Sequence, residues 1–180
     1  MRVYILTPDD KNYPVLIPLL DDSYDLFEKF DGKTAFKDEW KPPVMEVFVE
    51  KDENISNKDV GDFPGFLNHV PIFSEYAKDS IGKELERYGE FLALDCKQGR
   101  FYFFNVLNTP NVLDYEKSKL EHYKDGDIKN ITSYVFKQPV ASELIFKIPE
   151  LPFMNVFVTG RFKDLVEKYS LKGILYNRIW

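Results

Sequence analysis

Hydrophobic and polar positions alternate most clearly over the last forty residues, Ala141 to Trp180. Leu144, Phe146 and Ile148 alternate with Glu143 and Lys147, the period of two that turns one face of a strand inward, and Pro149 with Pro152 ends the run. Val156-Phe157-Val158 is a short apolar run. After it Thr159 stands where a helix N-cap belongs, Phe162, Leu165, Val166 and Tyr169 recur at i, i+3, i+4 and i+7, and Gly173 lies just past the last turn. Ile174 to Trp180 returns to an extended apolar pattern. This stretch therefore predicts strand, loop, strand, amphipathic helix and strand.

The same reading takes the rest of the chain in order. Arg2 to Leu6 predicts a short strand, an edge or a core-entry strand, stopped by Thr7-Pro8-Asp9-Asp10. Pro14 and Pro18 argue against regular structure between Tyr13 and Leu20, and Asp21 to Phe30 fits a short helix with Leu26, Phe27 and Phe30 turned inward. Met45, Val47 and Val49 alternate with Glu46 and Glu50 as a strand, where Phe48 interrupts the polar face as if covering something, and Lys51 to Gly65 is a polar loop. Phe73, Ala77, Ile81, Leu85 and Tyr88 predict a helix from about Ile72 to Tyr88 ended by Gly89; Gly82 within it weakens it by ~1 kcal/mol relative to alanine. Glu90 to Asp95 and Arg100 to Leu107 form a hairpin across Lys97-Gln98-Gly99, and Phe101 to Phe104, apolar on both faces, predict a central strand. Asp114 to Ser118 reads as a helical turn or loop. Lys119 to Tyr123 and Ile128 to Lys137 make a second hairpin around Asp125-Gly126-Asp127. The class is α+β: an antiparallel or mixed β-sheet with two or three packed helices and a C-terminal strand-strand-helix-strand unit, expected as one domain over residues 1–180.

Composition narrows what such a protein does. A chain that is 44% hydrophobic, with sixteen Phe and eleven Tyr, has material for a large core. No apolar run approaches the ~20 residues of a membrane helix, and Met1 to Asp10 lacks the longer apolar stretch of a signal peptide, so a cytoplasmic address without membrane insertion is expected. The single Cys96 excludes an internal disulfide and a cysteine-built metal site. The net charge of -6 is unevenly spread: residues 1–65 carry fifteen acidic against eight basic residues, residues 66–180 fifteen against sixteen. An acidic third, expected to pack on 66–180, favours basic partners and disfavours direct binding of nucleic acid.

The residue types that carry chemistry are sparse. His69, His122 and Cys96 lack the spacing of a zinc site, and no nucleophile lies in a recognisable triad motif, so no metal, cofactor or catalytic residue is expected. Glu90 with Asp95, or Asp59 with Asp62, are the carboxylate pairs available to a hydrolase, but Glu90 and Asp95 are an odd number of strand positions apart and face opposite sides. The glycines form no phosphate-binding loop. Trp180 reads as core packing; Trp40 suits packing or an interface anchor equally well.

The order of these landmarks resembles the Imm11 immunity-protein family of bacterial polymorphic-toxin systems. The resemblance runs through Trp40, Asp62-Phe63-Pro64, Ser80, Gly89-Glu90, and Tyr102 to Val106 with Asn105. It continues through Asp114, Ser118, Leu144 to Lys147, Val156 to Thr159, the Phe162 to Tyr169 helix and Leu171-Lys172-Gly173. It implies a non-catalytic cytoplasmic protein that binds and neutralises a cognate protein toxin, and it carries over no catalytic motif. Combined with the charge distribution, it places the expected partner-binding residues at Asp21, Asp22, Asp25, Trp40, Asp52, Glu53, Asp59 and Asp62. The competing reading is a small carboxylate-dependent hydrolase or ligand-binding protein with Glu90 or another acid in a deep pocket. The sequence leaves the oligomeric state open.

Overall fold

The computed structural model describes residues 2–19, 28–48 and 59–180. Strand β1 (Val3–Pro8) sends Tyr4 and Leu6 into one core and Val3 into another, and all three are buried. That two-sided burial follows from its place: the first sheet has the order β10 (Ile145–Phe146), β11 (Phe157–Thr159), β1, β12 (Ile174–Arg178), antiparallel throughout. Tyr4 is paired with Val158 on one side and Arg178 on the other, so β1 is no edge.

A second sheet runs β2 (Val15–Pro18), β3 (Val44–Phe48), β6 (Asp95–Cys96), with β2 and β3 antiparallel and β3 and β6 parallel. The expectation of no regular structure around Pro14 and Pro18 is overturned here. Proline is tolerated on an edge strand, and β2 is one, pairing Pro18 with Met45 and donating the Leu16 amide to Gly65 O. Phe48, expected to cover something, is 44% exposed. The predicted helix from Asp21 lies outside the described residues except for 28–30, where Phe30 is buried as expected. The predicted loop is described only from Asp59 onward.

The third sheet has the order β4 (Ile72–Ser74), β7 (Phe101–Val106), β5 (Gly89–Ala93). The central position predicted for Phe101 to Phe104 is observed, and its reason is explicit: Phe101 and Phe103 enter one core while Phe104 and Val106 enter another. The helix predicted from Ile72 begins later. Ile72 to Ser74 pair with Phe103 to Phe101, and α1 (Glu75–Leu85) starts where Ser74 Oγ accepts the Ala77 amide at 3.0 Å. A 3₁₀ turn, Glu86–Tyr88, continues it to Gly89. The second hairpin, β8 (Lys119–His122) and β9 (Ile128–Ser133), is shorter than predicted; Gln138–Ser142 form a 3₁₀ turn.

Helix α2 (Gly160–Lys168) buries Phe162 and Val166 against β1 and β11, as the spacing predicted. Its end differs from the prediction. Ser170, at φ 54°, is the left-handed residue; its amide donates to Glu167 O and that of Leu171 to Val166 O, the paired bonds that close a helix C-terminus. Gly173, at φ 100°, serves another need, since a Cβ there would lie 3.3 Å from Phe63 O. The strand predicted around Leu144 to Ile148 is only Ile145–Phe146. Its polar face is absent: Leu144 and Ile145 enter the helix-side core, Phe146 and Ile148 the opposite one, and Lys147 is fully buried between.

Candidate functional site

The buried polar groups show what the chain uses for its own structure. Asn105 sits on β7 with no exposed surface, donating its side-chain amide to Thr34 O at 2.8 Å and to Glu90 Oε1 at 2.9 Å. Glu90 accepts in turn from the amides of Phe36 and Lys37 at 2.7 and 3.2 Å. The Glu90 carboxylate, the catalytic candidate of the hydrolase reading, is thus the clamp that holds residues 34–37 over the third sheet. Trp40 continues the same contact: its indole N–H donates to Ala93 O at 2.7 Å, and its ring meets Phe30 and Phe103 edge-on at 6.3 and 6.2 Å. Trp180 packs edge-on against Phe136 at 5.9 Å, the packing role the sequence suggested.

Lys147 lies beneath this segment and donates to Phe30 O at 2.6 Å. Burial lowers its pKa to about 8, against a smaller opposing pull from Asp31. Asp31 itself turns the chain: burial raises its pKa, but the amides of Thr34 and Lys33 donate to its carboxylate and bring it below the usual range.

Of the residues singled out as partner contacts, Asp21, Asp22, Asp25, Asp52 and Glu53 lie outside the described residues. Asp59 is exposed and accepts the Gly61 amide at 3.1 Å. Asp62 is a staple: Oδ1 accepts the Ser74 hydroxyl at 3.0 Å and Oδ2 the Lys172 amide at 2.8 Å, tying the start of α1 to the turn after α2. Trp40 and Asp62 are thus engaged in contacts between the chain's own segments, and Asp59 in the turn before Gly61.

Two open clefts were not visible in the sequence. One, of about 690 Å³, lies between the tip of the β8–β9 hairpin and Glu150; Tyr123, Asp125, Asp127, Ile128 and Glu150 line it. Glu150 accepts the hydroxyl of Tyr115, which pushes that phenol up to about 12. The other, of about 440 Å³, runs along α2 and brings Arg2, Arg161 and Lys163 together with Asp164 and Glu167. Lys163 is paired there with Glu167 at 3.5 Å, so its charges are largely balanced. The Thr159 hydroxyl, expected to cap this helix, donates instead to Glu143 O at 2.8 Å. The Asp125-Gly126-Asp127 turn was the signal available for the first cleft. Nothing local announced that Glu150 would meet it.

Among the described residues no group of three His, Cys, Asp or Glu is placed to hold a metal ion, and no helix is long and apolar enough to cross a membrane. What the structure assembles is an α+β protein with charged clefts and exposed aromatic side chains, features with which proteins recognise other macromolecules. Residues 94–179, from the end of β5 to the last residue but one, match the model of the Imm11 immunity protein family, the family the landmarks resemble. The match implies a toxin-immunity role. No curated protein matches the chain.

Proposed function

We propose that the protein is an immunity protein that binds a cognate toxin in the cytoplasm and neutralises it by occupancy, without chemistry of its own. The family match over residues 94–179 carries this reading. It takes in β6 to β12 and α2, and with them the acidic cleft and most of the first sheet. The carboxylate that the hydrolase reading would use, Glu90, accepts three hydrogen bonds from the chain's own groups, and no observation favours that alternative over binding.

The test is co-purification of the tagged chain with the product of the adjoining gene, followed by growth on co-expression. A stable complex and restored growth support the reading. A neighbour that neither binds the chain nor harms cells removes it.

A further inference from the structure

Resting on that immunity reading, we propose that the cleft between the β8–β9 hairpin tip and Glu150 seats an arginine or lysine side chain of the protein partner. Its charged walls are of one sign: Asp125, Asp127 and Glu150 line it, and no lysine or arginine does. Neither Asp125 nor Asp127 is in an ion pair among the described residues; Asp125 accepts the Asp127 amide at 3.2 Å. Glu150 Oε2 is a buried oxygen with no hydrogen-bond partner, while the other carboxylate oxygen takes the Tyr115 hydroxyl. A buried acceptor left unmatched is unfavourable, and a guanidinium or ammonium entering the cleft brings the missing donor. The carboxylates are not placed as a metal cage, so a cation carried on a side chain fits them better than a bare ion.

The surroundings point to a protein as the carrier. Tyr115, Tyr123, Phe153 and Met154 each leave 46% or more of their surface in water. Tyr123 lines the cleft, Tyr115 is bonded to Glu150, and Phe153 and Met154 follow Glu150 closely in the chain. Large apolar side chains around a charged centre are the composition of an interface, where the aromatic contact holds and the opposite charge steers. The hairpin pairs with no other strand among the described residues, and Glu121 to Asp127 are all exposed, so its tip projects toward solvent. Of the chain's own nearby cations, Lys129 stands 6.0 Å from the Tyr123 ring centroid and Lys137 5.9 Å from that of Tyr115, and neither they nor Lys124 of the hairpin tip line the cleft.

Two measurements on the whole chain decide the matter. The first titrates the ¹⁵N-labelled protein with acetyl-Gly-Arg-Gly amide, with acetyl-Gly-Gln-Gly amide as control. Shifts confined to Tyr115, Tyr123 to Ile128 and Glu150, produced by the arginine peptide and lost in Asp125→Asn/Asp127→Asn/Glu150→Gln, support the proposal; absent, scattered or variant-independent shifts overturn it. These amides keep the acceptors for Asp127 N–H and Tyr115 O–H. Should the triple variant not fold, Asp127→Asn alone, whose side chain makes no hydrogen bond among the described residues, is expected to weaken the peptide about threefold. The second measures affinity for the co-purified neighbour: the triple variant is expected to bind at least about tenfold more weakly, with a flatter salt dependence. Unchanged affinity overturns the cleft and leaves the immunity reading standing. Peptide shifts in the cleft with no binding neighbour sink the immunity reading and leave the cleft as a seat for basic side chains.

Discussion

Lys147 is the residue whose environment departs furthest from its type. Its folded pKa of about 8 lies below the ordinary 10.5. Below pH 8 both folded and unfolded chains hold the proton and this group gives stability no dependence on pH. Between pH 8 and 10.5 the unfolded chain binds the proton and the folded chain does not, so stability rises with pH, in total by about 3 kcal/mol. Tyr115 and Tyr134 work the other way, but only from about pH 10 upward. Urea unfolding of wild type and Lys147→Met between pH 7 and 10 is therefore expected to diverge, with the upward slope present in wild type alone; parallel curves would show that the amine is not buried uncharged. Glu90 gives a counterpart that rests on its hydrogen bonds. Removing it in Glu90→Ala leaves Phe36, Lys37 and Asn105 donors without their acceptor, and a loss of about 2–3 kcal/mol is expected in the same assay. Neither role was legible in the sequence. Lys147 sits in a period-two pattern that assigns it to solvent, and the partner of Glu90 is a segment more than fifty residues earlier.

At the scale of elements, boundaries depend on the first contact a neighbouring element offers. Ile72 and Phe73 continue the helical spacing of Ala77 and Ile81, yet they pair with β7, and the helix waits for the Ser74 cap. The end of α2 was assigned to Gly173 because glycine favours left-handed backbone, while Ser170 takes that conformation three residues earlier. A serine there is strained, so Ser170→Gly is expected to stabilise the protein by roughly 0.5–1 kcal/mol in thermal unfolding. A destabilised variant would mean that the Ser170 side chain makes a compensating contact. Gly89 is the opposite case. A Cβ there would stand 2.1 Å from Asn105 O, and Gly89→Ala is expected to part β5 from β7 at a cost of several kcal/mol, with the Glu90 clamp released at the same time. Near-wild-type stability of that variant would show that the two strands can separate locally.

Over the whole molecule, three cores share several strands. β1 and β7 each divide their faces between different clusters, which is why both read as apolar on either side. Charge is organised on the same scale. The excess of acidic residues in 1–65 and the acidic cleft near Glu150 are separate features, and mutation separates them. If the acidic third meets a basic partner, Asp52→Lys/Glu53→Lys/Asp59→Lys is expected to weaken the complex and flatten its salt dependence. Asp62 is kept in that variant because its carboxylate joins α1 to the turn after α2. Unchanged binding at every salt concentration would exclude that face.

Local pattern alone was enough for the α+β class, the Phe101 to Val106 central strand, the amphipathic α2 helix and the closing strand, because α2 and the closing strand vary their burial with the period of their backbone and the unbroken apolar run of Phe101 to Phe104 marks a strand covered on both faces. Family resemblance was legible in the order of landmarks for the same reason, since most of them mark elements. Packing between distant segments decided the rest. It made β2 an edge that tolerates Pro18, enclosed Lys147 between two cores, turned Glu90 and Asp62 into structural clamps, and brought Glu150 to the hairpin tip. A sequence pattern reports how a strand or helix divides inside from outside; it carries no information on how many cores surround that element, and here the burial of the charged groups depends on that number.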